Sequence, residues 1–418
     1  LDDLRGNIVI HRARWVLPLA TPPIENGAVV VANGRIISTG QVHDVTTHQS
    51  GATVCDHGDS AIFPAFVNCH VHTELSALKK RLTPDRSFVQ WVKELIALRR
   101  QIPEQQHRDA ILSALDEMHS EGIAGFADIM NTDLTPEVLS AQGNRWGFSG
   151  FSFKEVIDPQ GKWQFQPKPN KTGDIHREQV IHTCYSAHAL YSVASCTLKA
   201  VKAWCNARQF PFSIHMAESL EEVEYITEGK GSLADFIALK AADSARCMNN
   251  FVPANSPVAL ADVLGLLDAK TLCIHCVQVS KKDMHLLSKQ KATVCLCPQS
   301  NRFLSTGVAP VGDMLSSGIR LCIGTDSLAS NDRLSMLAEM ALIHEQHPAV
   351  EEHEILRMAT LNGAKCLGLS GLGSLEPGKQ ASFLKIELPC DFLDRPVSFL
   401  VSEAAKIMER PGIIHWVT

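Results

Sequence analysis

The segment Phe66-Val67-Asn68-Cys69-His70-Val71-His72 sets two imidazoles two residues apart. Side chains of an extended strand alternate between faces, so His70 and His72 point the same way, as two ligands of one metal ion must. Alone, H-x-H is a weak signal, because two histidines this close occur by chance in many chains. Its place says more: it closes an apolar strand-like run, and α/β barrels gather their chemistry at the carboxyl ends of their strands. Three further runs end in groups of the same kind. They are Ser213-Ile214-His215-Met216-Ala217-Glu218, Leu272-Cys273-Ile274-His275-Cys276 and Cys322-Ile323-Gly324-Thr325-Asp326. Taken singly, each has a plain structural explanation, a hydrogen-bonded core histidine or an aspartate capping a helix. Four such groups, in order at the ends of separate strands, point together to a metal-dependent enzyme.

The elements that must position them follow from the hydrophobic pattern. Strand-like runs are expected at Ala61–Asn68, Gly122–Ile129, Gly147–Val156, Gln179–Ser186, Phe212–His215, Thr271–Cys276, Ala292–Cys297 and Arg320–Gly324. Helical patterns lie between several of them, at Ser87–Arg100, His107–Ser120, Ser195–Ala207, Leu220–Glu228 and Leu334–His344. Eight strands alternating with helices predict an α/β chain built on a (β/α)8 TIM barrel. The two ends read differently. Short strands broken by turns occupy 7–62, with Asn33-Gly34 as a hairpin signal, and similar pieces recur from 374 to the end. These ends are expected to join in one small β-sandwich, residues 1–60 with 374–418, around a catalytic barrel at 61–373.

Composition narrows the function classes. With 418 residues and 45% hydrophobic content the chain can bury a large core and is not disordered. Lys plus Arg is 39 against 45 for Asp plus Glu, a formal charge of −6. That excludes a generally basic surface for nucleic acid. No apolar run approaches the ~18 residues needed to span a bilayer, so no membrane partner is expected. Leu1 to Ile10 lacks the order of a signal peptide. Thirteen cysteines scattered through apolar segments suit reduced thiols, and a cytoplasmic location is the expectation.

At this point the sequence resembles the amidohydrolase superfamily, in its single-metal branch of nucleobase and nucleoside deaminases and triazine hydrolases. The match rests on F-V-N-x-H-x-H, on H-x-A-E at His215–Glu218, on His275-Cys276-Val277, on Cys297-Pro298-Gln299-Ser300-Asn301 and on Gly324-Thr325-Asp326-Ser327-Leu328-Ala329-Ser330-Asn331. Gly373–Ala381 looks like the family's return into the small domain, although Ser382 stands where the family usually has Asp. The resemblance implies that His70, His72, His215 and Asp326 hold one divalent metal, zinc in the first place, with iron accepted by the same donors. No lysine stands where a carbamylated bridge between two metals is expected. A metal lowers the pKa of water from 15.7 to about 7, which supplies hydroxide at neutral pH. The resemblance further implies that Asp326 takes the water proton, Glu218 shuttles a proton to the ring and leaving amine, and His275 stabilises the tetrahedral centre.

Ser186-Ala187-His188-Ala189-Leu190-Tyr191 resembles the family's P-H-A-P-Y segment, which makes His188 a candidate substrate contact. Trp91 lies in a segment that packs over the substrate in adenosine-type members. Those members carry a ribose-binding glutamate nine residues later; Arg100 stands there, which would suit an anionic substrate tail, against the plain reading of a solvated arginine. The function implied is hydrolytic release of ammonia from an adenine-type nucleoside: 6-amino-6-deoxyfutalosine, S-adenosylhomocysteine, methylthioadenosine or adenosine. Thr73-Glu74-Leu75-Ser76 and the acidic run Glu218–Glu224 favour the first. Guanine, cytosine, pterin or triazine hydrolysis is the alternative, and a catalytically silent binding protein a more distant one. The resemblance also leaves room for a homo-oligomer. Other motifs fail on spacing: His72-Thr73-Glu74 is followed by no P-C-x-x-C, and His344-Glu345-Gln346-His347 is one residue short of H-E-x-x-H.

Overall fold

The computed structural model describes residues 8–46, 51–84, 86–163, 181–242, 253–408 and 413–417. The N-terminal strands β1 (Val9–Val16), β2 (Ile24–Ala32), β3 (Arg35–Gln41), β4 (Thr53–Asp56) and β5 (Ser60–Pro64) belong to one sheet. Asn33 and Gly34 both take positive φ, +51° and +71°, so the N-G pair makes the two-residue turn that its chemistry favours, between Ala32 and Arg35. Eight strands follow: β6 (Phe66–Val71), β7 (Ile123–Met130), β8 (Ser149–Val156), β9 (Ile181–Ala187), β10 (Phe212–Met216), β11 (Thr271–His275), β12 (Thr293–Leu296) and β13 (Arg320–Ile323). The last two strands, β14 (Phe383–Glu387) and β15 (Ile414–Trp416), return to the first sheet, whose order is β15-β14-β5-β1-β2-β3 with β4 beside β1. The two ends of the chain therefore share a single seven-stranded sheet. Residues 179 and 180 of the expected fourth run lie outside the described residues.

One expected strand is two. The apolar run 61–68 bends at Ala65: β5 pairs antiparallel with β14, whereas β6 pairs parallel with β7. Pro64 closes β5. Hydrophobicity is continuous across the bend because both halves are fully buried, so periodicity alone could not divide them.

The eight central strands are all parallel and lie in two sheets, β6-β7-β8-β9 and β10-β11-β12-β13. Their neighbouring ends meet through single parallel bridges, Val71 with Asp326 and Ala189 with His215. At the first seam the His70 carbonyl accepts from the backbone N–H of both Thr325 and Asp326, at 3.0 Å each. Asn68 and Thr325 reinforce it: Asn68 Nδ2 donates to Thr325 Oγ1 at 2.7 Å, and Thr325 N–H donates back to Asn68 Oδ1 at 3.1 Å. At the second seam His215 N–H donates to the His188 carbonyl at 2.9 Å.

Helices follow most of these strands, among them Phe88–Arg99, Glu104–Ser120, Ser195–Ala207, Leu220–Glu228, Lys281–Lys289 and Met336–Gln346. Several start at serines that accept from the first turn: Ser87, Ser219 and Ser280, the last in a reciprocal capping box with Asp283. The apolar faces of most of them and the strands form one continuous core, whereas Phe88–Arg99 packs on a separate cluster of Leu75, Leu78 and Leu82. No described helix is long and apolar enough to cross a membrane, and the described cysteines are free thiols, most of them buried.

The first seam depends on the absence of a side chain at Gly324. A Cβ there would lie 2.7 Å from His70 Cβ and 2.8 Å from both the His70 nitrogen and carbonyl oxygen. Gly324→Ala is expected to cost about 1–3 kcal/mol in a urea unfolding curve, because neither backbone can give way cheaply. Gly312→Ala, in a helix with open space around it, should be neutral or stabilising in the same measurement.

Candidate metal centre and active site

Three imidazoles converge where the strands end. His70 is fully buried, His72 and His215 nearly so, and one ligand nitrogen of each lies within 4.8 Å of the others. Asp326 Oδ1 stands 3.6 Å from Nε2 of both His70 and His72. Its other oxygen is tied down, accepting from Ser300 Oγ at 2.6 Å and Ser330 Oγ at 3.2 Å. His215 Nδ1–H donates to the His188 carbonyl at 2.9 Å, which leaves Nε2 for the cluster. Both ring nitrogens of His70 are buried without a hydrogen-bond partner. Unpartnered buried polar atoms are costly and rare, and a cation between these rings would satisfy the inner one.

The electrostatics suit such an ion. Burial first, then the charge of His70, pushes His72 down to about 4, and burial with the neighbouring imidazoles holds His215 well below its ordinary value. Both rings are therefore neutral at pH 7, the form that ligates metal. Burial disfavours charge on Asp326, but the adjacent His70 and His72 rings outweigh it, and the carboxyl stays well below the usual range. Three imidazoles and a carboxylate make a donor set for zinc or iron.

Glu218 and His275 complete the floor. Glu218 Oε1 lies 3.6 Å from His275 Nε2, and His275 Nδ1–H donates to Asn301 Oδ1 at 2.9 Å. Burial raises the Glu218 carboxyl, against the pull of His275. Burial works against a charged His275, yet Glu218 and Asp326 raise it on balance. Four residues at these strand ends adopt left-handed backbone without being glycine: Ala217 at φ +50°, His275 at +70°, Cys276 at +47° and Asp326 at +53°. Strain of about 1–3 kcal/mol at each is kept only where the surroundings impose it.

Buried carboxyls whose structural role the sequence did not disclose tie the backbone beside several strand ends, and one of them, Glu222, binds the strained Ala217. Glu222 accepts from the N–H of Ala217 at 3.0 Å and of Glu218 at 2.8 Å. Glu339 accepts from Gln299 N–H at 2.9 Å and Asn331 Nδ2 at 2.8 Å. Asp128 accepts from Thr73 N–H at 2.9 Å, and Glu74 from the N–H groups of Asn131 and Thr132 at 3.0 and 3.1 Å. For Glu74 the available signal was an acid just beyond an apolar strand, and it is shared by many solvated turns.

The substrate-side residues are less concentrated. His188 stands beside His215, ring centroids 5.1 Å apart, with Nδ1 bonded to Ser192 Oγ at 2.6 Å and Nε2 left over. Trp91 packs near Leu75, Leu78 and Ala329, and its indole N–H is buried without a partner. Arg100 is exposed at the end of its helix, and among the described residues no hydrogen bond or ion pair joins its side chain to the cluster. Its neighbour Arg99 turns inward instead, onto Glu74 at 3.1 Å and onto Asn131.

Comparison with known proteins shows the family. The amidohydrolase family profile matches residues 61–412. The chain belongs to the amidohydrolase family. A 5-methylthioadenosine/S-adenosylhomocysteine deaminase of Moorella thermoacetica is 29% identical over 406 residues, 92% of this amidohydrolase and 86% of that protein. The Helicobacter pylori aminofutalosine deaminase in complex with methylthio-coformycin superposes with a TM-score of 0.81 at 22% identity, covering 98% of this chain and 100% of that one. An adenosine deaminase from Xanthomonas campestris with bound zinc gives 0.77 at 24%, covering 94% and 88%. At such identities the solved structures establish a shared amidohydrolase fold.

The buried carboxyls make stability pH-dependent. Burial pushes Glu339 up to about 8 and Glu222 to about 7, although backbone N–H groups bonded to each pull the other way. A carboxyl raised on folding contributes stability that is complete below its unfolded value, about 4.3, and is lost as pH rises through its folded value. Chelator-treated protein should therefore show a falling urea midpoint between pH 6 and 9. Glu339→Gln should fall less across that window, and equal slopes for the two proteins would contradict the assignment.

Proposed function

We propose that this amidohydrolase is a metal-dependent deaminase that hydrolyses the exocyclic amino group of an adenine-type nucleoside. The observation that carries the reading is the convergence of His70, His72, His215 and Asp326 on one point, with Glu218 and His275 beside it. The names of the relatives, methylthioadenosine/S-adenosylhomocysteine and aminofutalosine deaminases, support the substrate class. In this reading the two parallel sheets close into one (β/α)8 barrel across the seams at Val71–Asp326 and Ala189–His215, and residues 1–60 with 374–418 form the accessory β-domain.

His70, His72, His215 and Asp326 would hold one divalent ion, zinc before iron. When bound, it supplies Lewis-acid activation of water at neutral pH. The chain's own groups do the rest. Asp326, anchored through Oδ2 by two serine hydroxyls, offers a fixed carboxylate to receive the water proton. Glu218, raised by burial, carries a proton at pH 7 more readily than an exposed glutamate, as an acid that must protonate a ring nitrogen and then the leaving amine requires. His275 Nε2, oriented by the Asn301 bond to Nδ1, faces the same space and stabilises charge developing at the attacked carbon. His188 presents its Nε2 to the heterocycle, and Trp91 covers it from the Leu75–Leu78 side. Arg100, exposed, is a weaker candidate for an anionic tail.

Ammonia release should be measured across aminated purine nucleosides, pterins, pyrimidines and triazines. Turnover is expected on at least one of 6-amino-6-deoxyfutalosine, S-adenosylhomocysteine, methylthioadenosine and adenosine; none on any adenine compound rejects the reading. Glu218→Gln should keep its metal yet lose about 10²–10⁴ in kcat, because the ligands remain and the proton carrier is gone. His70→Ala should lose metal together with activity, read by elemental analysis of the purified protein.

A further inference from the structure

Glu155, near the end of β8, has no part in the scheme above, yet its side chain is buried beside the cluster. Its side chain is 4% exposed. Oε2 accepts from Asn131 Nδ2 at 2.8 Å, whereas Oε1 is buried with no hydrogen-bond partner and stands 3.9 Å from His215 Nδ1. Asn131 is itself fixed, its N–H on Glu74 and its side-chain oxygen on Arg99. A chain of polar contacts thus runs from the helix Phe88–Arg99 to a bare carboxylate oxygen beside a ligand imidazole.

A buried carboxylate oxygen without a donor is expensive unless positive charge compensates it. Two sources of that charge fit the spacing. Glu155, His188 and His215 have ligand atoms within 4.8 Å of one another, so a cation of their own is one. The ring chemistry of His215 argues against it. Its Nδ1–H is committed to the His188 carbonyl, and its Nε2 to the His70–His72 cluster. Without His215 a second ion would have two protein ligands, fewer than the three of an open zinc site. The other source is the first centre. A divalent ion among neutral imidazoles has one ligating carboxylate, Asp326, and so keeps one uncompensated positive charge.

We propose that Glu155 is a positioning residue for the metal centre: tethered by Asn131, it supplies the second negative charge and orients His215 from behind, without touching the ion. The inference rests on the metal-centre reading above. It concerns affinity for the metal, not the choice of substrate, so the two can fail separately.

The test is chelator competition on the zinc-loaded full chain, with zinc content and unfolding followed alongside. Wild type is expected to hold about one equivalent. Glu155→Gln is expected to take up the same single equivalent at saturation but with affinity lowered about 10–100-fold, the usual effect of removing such a partner. Asn131→Ala, which leaves the carboxylate but frees it, should weaken binding in the same direction by less. The metal-stripped Glu155→Gln protein should unfold no earlier than metal-stripped wild type, an outcome that a merely structural role would not give. Should Glu155→Gln fail to fold, Asn131→Ala decides by the same measurement. Zinc affinity unchanged within threefold overturns the proposal. So does a second equivalent in wild type that disappears in Glu155→Gln, because the ion would then lie between Glu155 and His188. No zinc in wild type at all removes the metal-centre reading itself, whereas one equivalent with unaltered affinity leaves it standing.

Discussion

The His70 carbonyl accepts two backbone N–H groups, from Thr325 and Asp326, and every other feature of the site depends on that close approach. It brings the end of β6 against the end of β13, so that two imidazoles and a carboxylate far apart in the chain face one point. Only a glycine at 324 lets the strands come so near. The same contact turns Asp326 into the left-handed region, which aims its Oδ1 at His70 and His72. The second seam repeats the device: the His188 carbonyl accepts both the backbone N–H and the Nδ1–H of His215. One carbonyl thus fixes the position and the tautomer of a ligand ring.

Buried carboxyl groups are the second organising feature. Asp128, Glu74, Glu222 and Glu339 each accept from backbone N–H groups at strand ends, and together they hold loops that would otherwise be free to move. A carboxylate is a costly clamp in an apolar setting, as the raised values of Asp128, Glu222 and Glu339 record. What it supplies in return is two acceptors in one rigid group. That rigidity suits a site whose donors must already be in place when charge develops, since reorganising them during reaction would consume the advantage.

Much of this was legible before any fold was known. Alternation along β6 placed His70 and His72 on one face, and the order of apolar runs placed His215, His275 and Asp326 at comparable strand ends, where the structure has them. Other features were not. The run 61–68 reads as one strand because burial on both sides of Ala65 erases the periodicity that would mark a change of sheet. Arg99 and Arg100 are indistinguishable as a sequence pair. They differ because successive helix residues point about 100° apart, and only the packing of that helix turns Arg99 toward Glu74. Glu155 looks like any acid at the end of a strand until Asn131 and His215 are seen on either side.

Taken alone, the sequence determined residue types and local periodicity, and with them the α/β class and the pool of ligands. Those properties are encoded by neighbours within a few positions, which share one strand or one helix turn. Tertiary structure decided which nitrogen of each histidine is free, which acids are clamps, and which of two adjacent arginines faces inward. These depend on hydrogen bonds between residues of different elements, such as Asn131 with Glu74, 57 positions apart, and a spacing rule within one segment cannot reach that far.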